Sequence, residues 1–182
     1  MVYLFLADGF EEIEALTQVD YLRRAGIEIR TCGIDGTEIT GSKGIPVRAD
    51  MPIEQVTLQD TDMIILPGGL GGVKGISEND TAMNLIRGAY AAGIRISAIC
   101  AAPTILAAEG MLSGRQCICY PSMTDELEAC GGIVCHDSAV VCDGTFITAK
   151  AAGASEEFSF AIIAALKGKQ AAEAVRESIC AR

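Results

Sequence analysis

Basic side chains are scarce: 14 Lys and Arg stand against 24 Asp and Glu, leaving the 182-residue chain at a net charge of −10. A field of that sign repels phosphate backbones and anionic headgroups, so neither nucleic acid nor a membrane surface is expected as a partner. Long apolar runs are lacking too. The longest, residues 96–108, is interrupted by Pro103 and falls short of the ~18 residues that suggest a membrane span. Residues 1–7 are apolar but lack a basic region and run directly into Asp8, Glu11, Glu12 and Glu14, a poor fit to a secretory signal. Eight cysteines without such a signal are expected as reduced thiols in a cytoplasmic compartment, not as a disulfide framework. Cys117, Cys119, Cys130, Cys135 and Cys142 contain no C-x-x-C pair, and with His136 they fit no common zinc module. They read as buried or incidental thiols, and no metal or cofactor is expected.

Half of the residues are hydrophobic and 21% are charged, enough apolar material for one domain over residues 1–182. The continuous apolar run 2–7 reads as a strand covered on both faces. Helical spacing of Ile13, Leu16, Val19, Leu22 and Ala25 predicts a helix over 11–25 that stops at Gly26. A strand over 27–34 follows. Residues 35–52 are polar and rich in glycine, with short extended pieces near Ile39 and over 45–48 that suit a small hairpin. Further strands are expected over 63–66, 95–99, 116–119, 139–142 and 145–148, and helices over 78–92, 101–108, 155–166 and 171–179. Alternating strands and helices predict an α/β fold with a mostly parallel sheet.

Residues 67–72 (Pro-Gly-Gly-Leu-Gly-Gly) follow the strand over 63–66, where open α/β sheets place ligands. The stretch is not a phosphate loop, since Lys74 and Gly75 stand in the wrong order, and it does not match the dinucleotide fingerprint. Two readings stay open for it: a tight, flexible turn, or a set of free backbone N–H groups able to hold an oxyanion.

Cys100 falls between an expected strand and an expected helix, the order of a nucleophile elbow, with the small residues Ala98, Ala101 and Ala102 around it. The helix N-terminus favours a thiolate and is expected to bring the thiol well below ~8.5. The alternative is a small buried hydrophobe. The one histidine, His136, lies in a polar stretch and reads as a surface residue. Glu11, Glu12 and Glu14 are a better source of a partner: two suit a solvated helix start, and one can point inward.

These segments together resemble the DJ-1/ThiJ/PfpI superfamily, in its DJ-1-like branch. They are Asp8-Gly9-Phe10-Glu11-Glu12-Ile13-Glu14, Arg23-Arg24-Ala25-Gly26, Leu66-Pro67-Gly68-Gly69, Ala98-Ile99-Cys100-Ala101-Ala102-Pro103-Thr104 and Ala152-Gly153-Ala154-Ser155. The resemblance implies a flavodoxin-like three-layer sandwich, with helices on both faces of the sheet, and a homodimer. It also implies Cys100 as the reactive thiol, Glu14 as its carboxyl partner, and N–H groups from Gly69 and Ala101, with Gly68 beside them. Arg48 matches a family arginine near the dimer interface and the site. A protonated Glu14 would donate to the Cys100 thiolate, so that the pair shares one charge.

Two departures narrow the expectation. Ala101 stands where the protease-like branch has histidine, so peptidase activity is not expected. Tyr120 stands where many DJ-1-like members carry a histidine, and a phenol is a poorer base at neutral pH, suited to holding or orienting a substrate. The resemblance thus offers two activities. In one, Cys100 acts on small reactive aldehydes of the methylglyoxal class; in the other, peroxide oxidises Cys100 to sulfinate.

Overall fold

The computed structural model describes residues 1–181. Five consecutive apolar residues form β1 (Val2–Leu6), all buried, as a strand covered on both faces requires. α1 (Glu12–Arg24) then leads to β2 (Ile29–Gly33), parallel to β1. β3 (Glu38–Thr40) and β4 (Pro46–Arg48) make the antiparallel hairpin expected from the two extended pieces. β5 (Met51–Pro52) joins the main sheet beside β2, a strand too short to carry a sequence pattern. β6 (Met63–Leu66) lies parallel to β1.

α2 (Leu70–Glu78) and α3 (Asp80–Ala91) connect β6 to β7 (Arg95–Ile99), its parallel neighbour. Here the structure corrects the sequence reading, because α2 begins inside the stretch read as a flexible turn. Its glycines serve close packing instead: a Cβ on Gly72 would stand 2.8 Å from the Phe10 Cα, and one on Gly71 2.9 Å from the Asp8 carbonyl oxygen. That approach of helix to loop outweighs the poor helix propensity of glycine. Asn79 caps α3 by accepting from the Ala82 N–H at 2.9 Å, which fixes its start near residue 80 instead of 78.

The chain continues through α4 (Pro103–Ala108), β8 (Gln116–Cys117), α5 (Thr124–Ala129), β9 (Ile133–Val134), β10 (Val140–Asp143), β11 (Phe146–Ala149), α6 (Ser155–Lys167) and α7 (Lys169–Ser178). β8 and β9 pair only with each other, whereas β10 and β11 form a hairpin turning at Gly144. The main sheet runs β10-β11-β7-β6-β1-β2-β5, and only β10 is antiparallel.

Alternate side chains of the central strands feed two cores. Tyr3, Phe5, Ile64 and Leu66 pack with Ile76, Ile86, Ile105 and Leu106 from α2, α3 and α4. Val2, Leu4, Leu6 and Ile65 pack with Leu22 of α1, Phe158 and Ile162 of α6 and Val175 of α7. The result is the expected flavodoxin-like three-layer sandwich. It brings the carboxyl ends of β1, β6 and β7 side by side, where open sheets hold their ligands. Among the described residues, no helix is long and apolar enough to cross a membrane.

Candidate active site

Cys100 directly follows β7 and holds φ at +63°, a left-handed conformation that a non-glycine residue keeps only under constraint. The constraint is two hydrogen bonds: the Cys100 N–H donates to the Ala149 carbonyl at 2.9 Å, and the Cys100 carbonyl accepts from the Tyr120 N–H at 2.8 Å. This is elbow geometry. α4 starts three residues later, with Pro103 in its first turn, where no helical N–H is lost.

Glu14, in the first turn of α1, is fully buried. Its Oε2 accepts from the Gly68 N–H at 2.9 Å, while its Oε1 is buried with no hydrogen-bond partner. Burial raises its pKa to about 7, against the opposing pull of the Cys100 thiol and the Gly68 N–H. Burial, followed by the charge and hydrogen bonding of Glu14, pushes the Cys100 thiol up to about 12, while the N–H groups of Ala101 and Gly69 pull it down. With Glu14 ionised, the shift runs opposite to the depression expected from a helix N-terminus, because burial and a neighbouring anion outweigh the N–H groups. Both upward shifts mean that the pair resists carrying two negative charges near neutral pH.

Glycines make this meeting sterically feasible. A Cβ on Gly68 would stand 2.4 Å from Glu14 Oε2 and 2.7 Å from the Cys100 Cβ. Gly69 caps α2 at φ +87°, where a Cβ would stand 2.3 Å from the Gly9 carbonyl oxygen. Above Cys100 opens a cavity of about 580 Å³, whose walls include Glu11, Lys43, Gly69, Ala101, Tyr120 and Ser122.

A model of the DJ-1/PfpI family matches residues 1–165. The chain belongs to the DJ-1/PfpI family. It is 37% identical over 177 residues to protein dj-1beta of Drosophila melanogaster, covering 97% of this chain and 94% of that one. The crystal structure of that Drosophila protein matches with a TM-score of 0.94 at 36% identity, over 100% of this chain and 97% of the other. A protein of Pyrococcus horikoshii named a deglycase is 30% identical over 151 residues, 82% of this chain and 90% of its own. Oxidized Toxoplasma gondii DJ-1 matches with a TM-score of 0.92 at 28% identity, over 99% and 97% of the two chains.

Within this DJ-1/PfpI chain, the other singled-out residues sit as follows. Tyr120 is half-exposed on the cavity wall. Arg48 lies on the β3–β4 hairpin, 81% exposed, its Nε 3.7 Å from Glu38 Oε1, and the single chain does not bring it to the cavity. His136 Nε2 lies 3.2 Å from Glu128 Oε1, away from the cavity wall. All eight cysteines are free thiols, and the described residues contain no group of three or more His, Cys, Asp and Glu side chains able to hold a metal. Burial pushes the thiols of Cys32 and Cys119 up to about 12 and that of Cys117 up to about 11.

The acidic cluster departs from its expected split. Only Glu14 enters the site pair, but Glu12 is not solvated: it is 5% exposed. Burial acts to raise its pKa, yet N–H bonds from its own backbone, Lys43 and Ile45, with the Ser42 hydroxyl, hold it below the usual carboxylate range. Its partners lie some thirty residues on in the chain, so no local pattern could have revealed them. The same applies to Ser42 and Lys43, which the fold alone brings to the cavity.

Proposed function

We propose that this protein acts on small reactive aldehydes of the methylglyoxal class, as a cysteine enzyme of glyoxalase or deglycase type. The observation that carries the reading is the strained Cys100 beside a buried Glu14 whose Oε1 lacks a partner. A protonated Oε1 donating to the Cys100 sulfur satisfies both groups with a single negative charge. The resemblance to a named deglycase supports the chemistry.

In the proposed cycle, the thiolate attacks the aldehyde carbon, the carbonyl π electrons move to oxygen, and that oxygen takes the Glu14 proton, giving a hemithioacetal. The Glu14 carboxylate then removes the proton from the former aldehyde carbon and delivers it to the neighbouring carbonyl carbon, while the hemithioacetal hydroxyl proton passes to the oxygen on that neighbouring carbon, leaving a 2-hydroxy thioester. Water hydrolyses the thioester, releasing a 2-hydroxy acid and the thiol. The net change is addition of one water, so no external oxidant is needed. Methylglyoxal turnover that vanishes in Cys100→Ser is the expected result; equal turnover in that variant overturns the reading.

A second reading is favoured by the wall itself, where Tyr120 occupies the place the resemblance gives to a histidine and His136 lies elsewhere. Here the Cys100 thiolate attacks a peroxide oxygen, the O–O bond breaks and the leaving group departs protonated. A second peroxide takes the sulfenate to sulfinate, held by the Gly69 and Ala101 N–H groups and by Glu14. Stoichiometric oxidation of Cys100 without aldehyde turnover would select this reading.

A homodimer belongs to the proposal. Ile13 and Leu16 on α1 and Ile45 on the neighbouring hairpin loop leave apolar surface exposed, and a second copy is the proposed cover. Eight free thiols support a reducing, cytoplasmic setting.

A further inference from the structure

Among the described residues, Lys43 is the one cationic side chain on the cavity wall, and a strapped loop holds it there. Its N–H donates to Glu12 Oε1 at 2.8 Å. The neighbouring Ser42 N–H donates to the Phe10 carbonyl at 2.7 Å, and Ser42 Oγ lies 2.8 Å from Glu11 Oε2 and 3.2 Å from Glu12 Oε2. Gly41 lets the buried carboxylate come close, since a Cβ there would overlap it. The turn between β3 and β4 is therefore fixed to the start of α1, and Lys43 with it.

The ammonium itself is held loosely. Nζ lies 3.4 Å from Glu11 Oε2 and 3.3 Å from Ser42 Oγ, and that same Glu11 oxygen also accepts from the Ser42 hydroxyl at the shorter distance. An ammonium has three donors, so two long contacts leave capacity for a ligand. The remaining charge at the cavity is negative: the Glu11 carboxylate and the single charge of the Glu14 and Cys100 pair. A neutral aldehyde needs no cation on the wall, whereas an anionic one must overcome those charges to reach the sulfur.

We propose that Lys43 is a specificity-determining residue, admitting 2-oxoaldehyde substrates that carry a carboxylate next to the oxo carbon. The substrate carboxylate takes the place of Glu11 on the ammonium while its carbonyl stands at the Cys100 sulfur. This rests on the reading of Cys100 as the nucleophile and deepens it by naming the substrate class.

Two alkylating reagents of one shape test it, iodoacetate with a charge and iodoacetamide without. With each, the Cys100 sulfur forms a bond to carbon and iodide leaves. The ratio of the two rates at Cys100, followed by mass spectrometry, cancels the thiolate fraction and reads the local charge alone. Lys43→Met is expected to lower the iodoacetate-to-iodoacetamide ratio by about threefold or more. Lys43→Arg keeps the ratio, Glu11→Gln raises it, and added salt erases the difference between the variants. A Lys43→Met ratio equal to that of the wild type overturns the proposal while leaving the nucleophile intact. A wild-type Cys100 inert to both reagents overturns the nucleophile reading and this proposal with it.

Discussion

Glu14 and Cys100 meet across Gly68: a methyl group on that glycine would press on Glu14 Oε2 at 2.4 Å and on the Cys100 Cβ at 2.7 Å. The carboxyl comes from the helix after β1, the thiol from the elbow after β7, and the glycine from the end of β6 between them. Adjacent parallel strands thus deliver all three to one edge of the sheet.

Gly68→Ala is therefore expected to injure the site through volume alone. The Ile99 carbonyl oxygen, 3.0 Å from the added Cβ, closes the third side. Overpacking of this kind costs about 1–3 kcal/mol, readable by urea unfolding. Cys100 alkylation is expected to slow by about tenfold or more, which corresponds to ~1.4 kcal/mol in the barrier.

The stability of the wild type relative to Glu14→Gln is expected to change with pH in a defined direction. The folded-state pKa of Glu14, about 7, lies above its ordinary 4.5, so the folded protein holds the proton longer than the unfolded chain. That contribution is complete below the ordinary value and is lost as pH rises through the folded value, with a span of at most about 3 kcal/mol. Denaturant titrations across this window should show the variant gaining on the wild type as pH rises. A constant difference would contradict the burial account.

Glu12 titrates in the opposite sense. Its folded pKa lies below 4.5, so its contribution is present above that value and fades as pH falls through the lower one. Glu12→Ala leaves the Lys43 N–H without its acceptor and the Ser42 hydroxyl with Glu11 Oε2 alone, at an expected cost of about 1–2 kcal/mol. Amide hydrogen exchange over residues 41–45 is expected to quicken in the variant, while β1 and β6 stay protected.

Tyr120→His places an imidazole on the cavity wall, at the residue whose backbone N–H donates to the Cys100 carbonyl. A general base with a pKa near ~6.5 is better matched to neutral pH than a phenol, and such groups contribute about 10²-fold or more. Methylglyoxal turnover is expected to rise in kcat. An unchanged kcat would mean that Glu14 alone carries the proton traffic.

The central sheet was legible because β1, β6 and β7 are short apolar runs buried on both faces, and each ends at a recognisable break. Cys100 was legible for the same reason: the run over 95–99 leaves it at the junction, and small neighbours suit a tight elbow. α2 was hidden because its glycines, which locally signal a turn, are selected by the backbone of residues 8–10 lying against them. Burial of Glu12 and the placement of Lys43 depend on a loop thirty residues away, which no periodicity reports. The burial and the neighbouring carboxyl that oppose a depressed Cys100 thiol were not legible from the helix terminus alone, since both belong to the folded site.

The most direct measurement is the pKa of Cys100 in the wild type, Glu14→Gln and Glu14→Leu, read from the pH dependence of its alkylation and mapped against the other seven cysteines. A protonated Glu14 that donates to the thiolate predicts the lowest value in the wild type, a higher one with the weaker amide donor, and the highest with leucine. A Glu14 that is instead an anion beside a thiol predicts the reverse, because removing its charge would lower the Cys100 value. That reversal, or a wild-type Cys100 no more reactive than buried Cys32, contradicts the account.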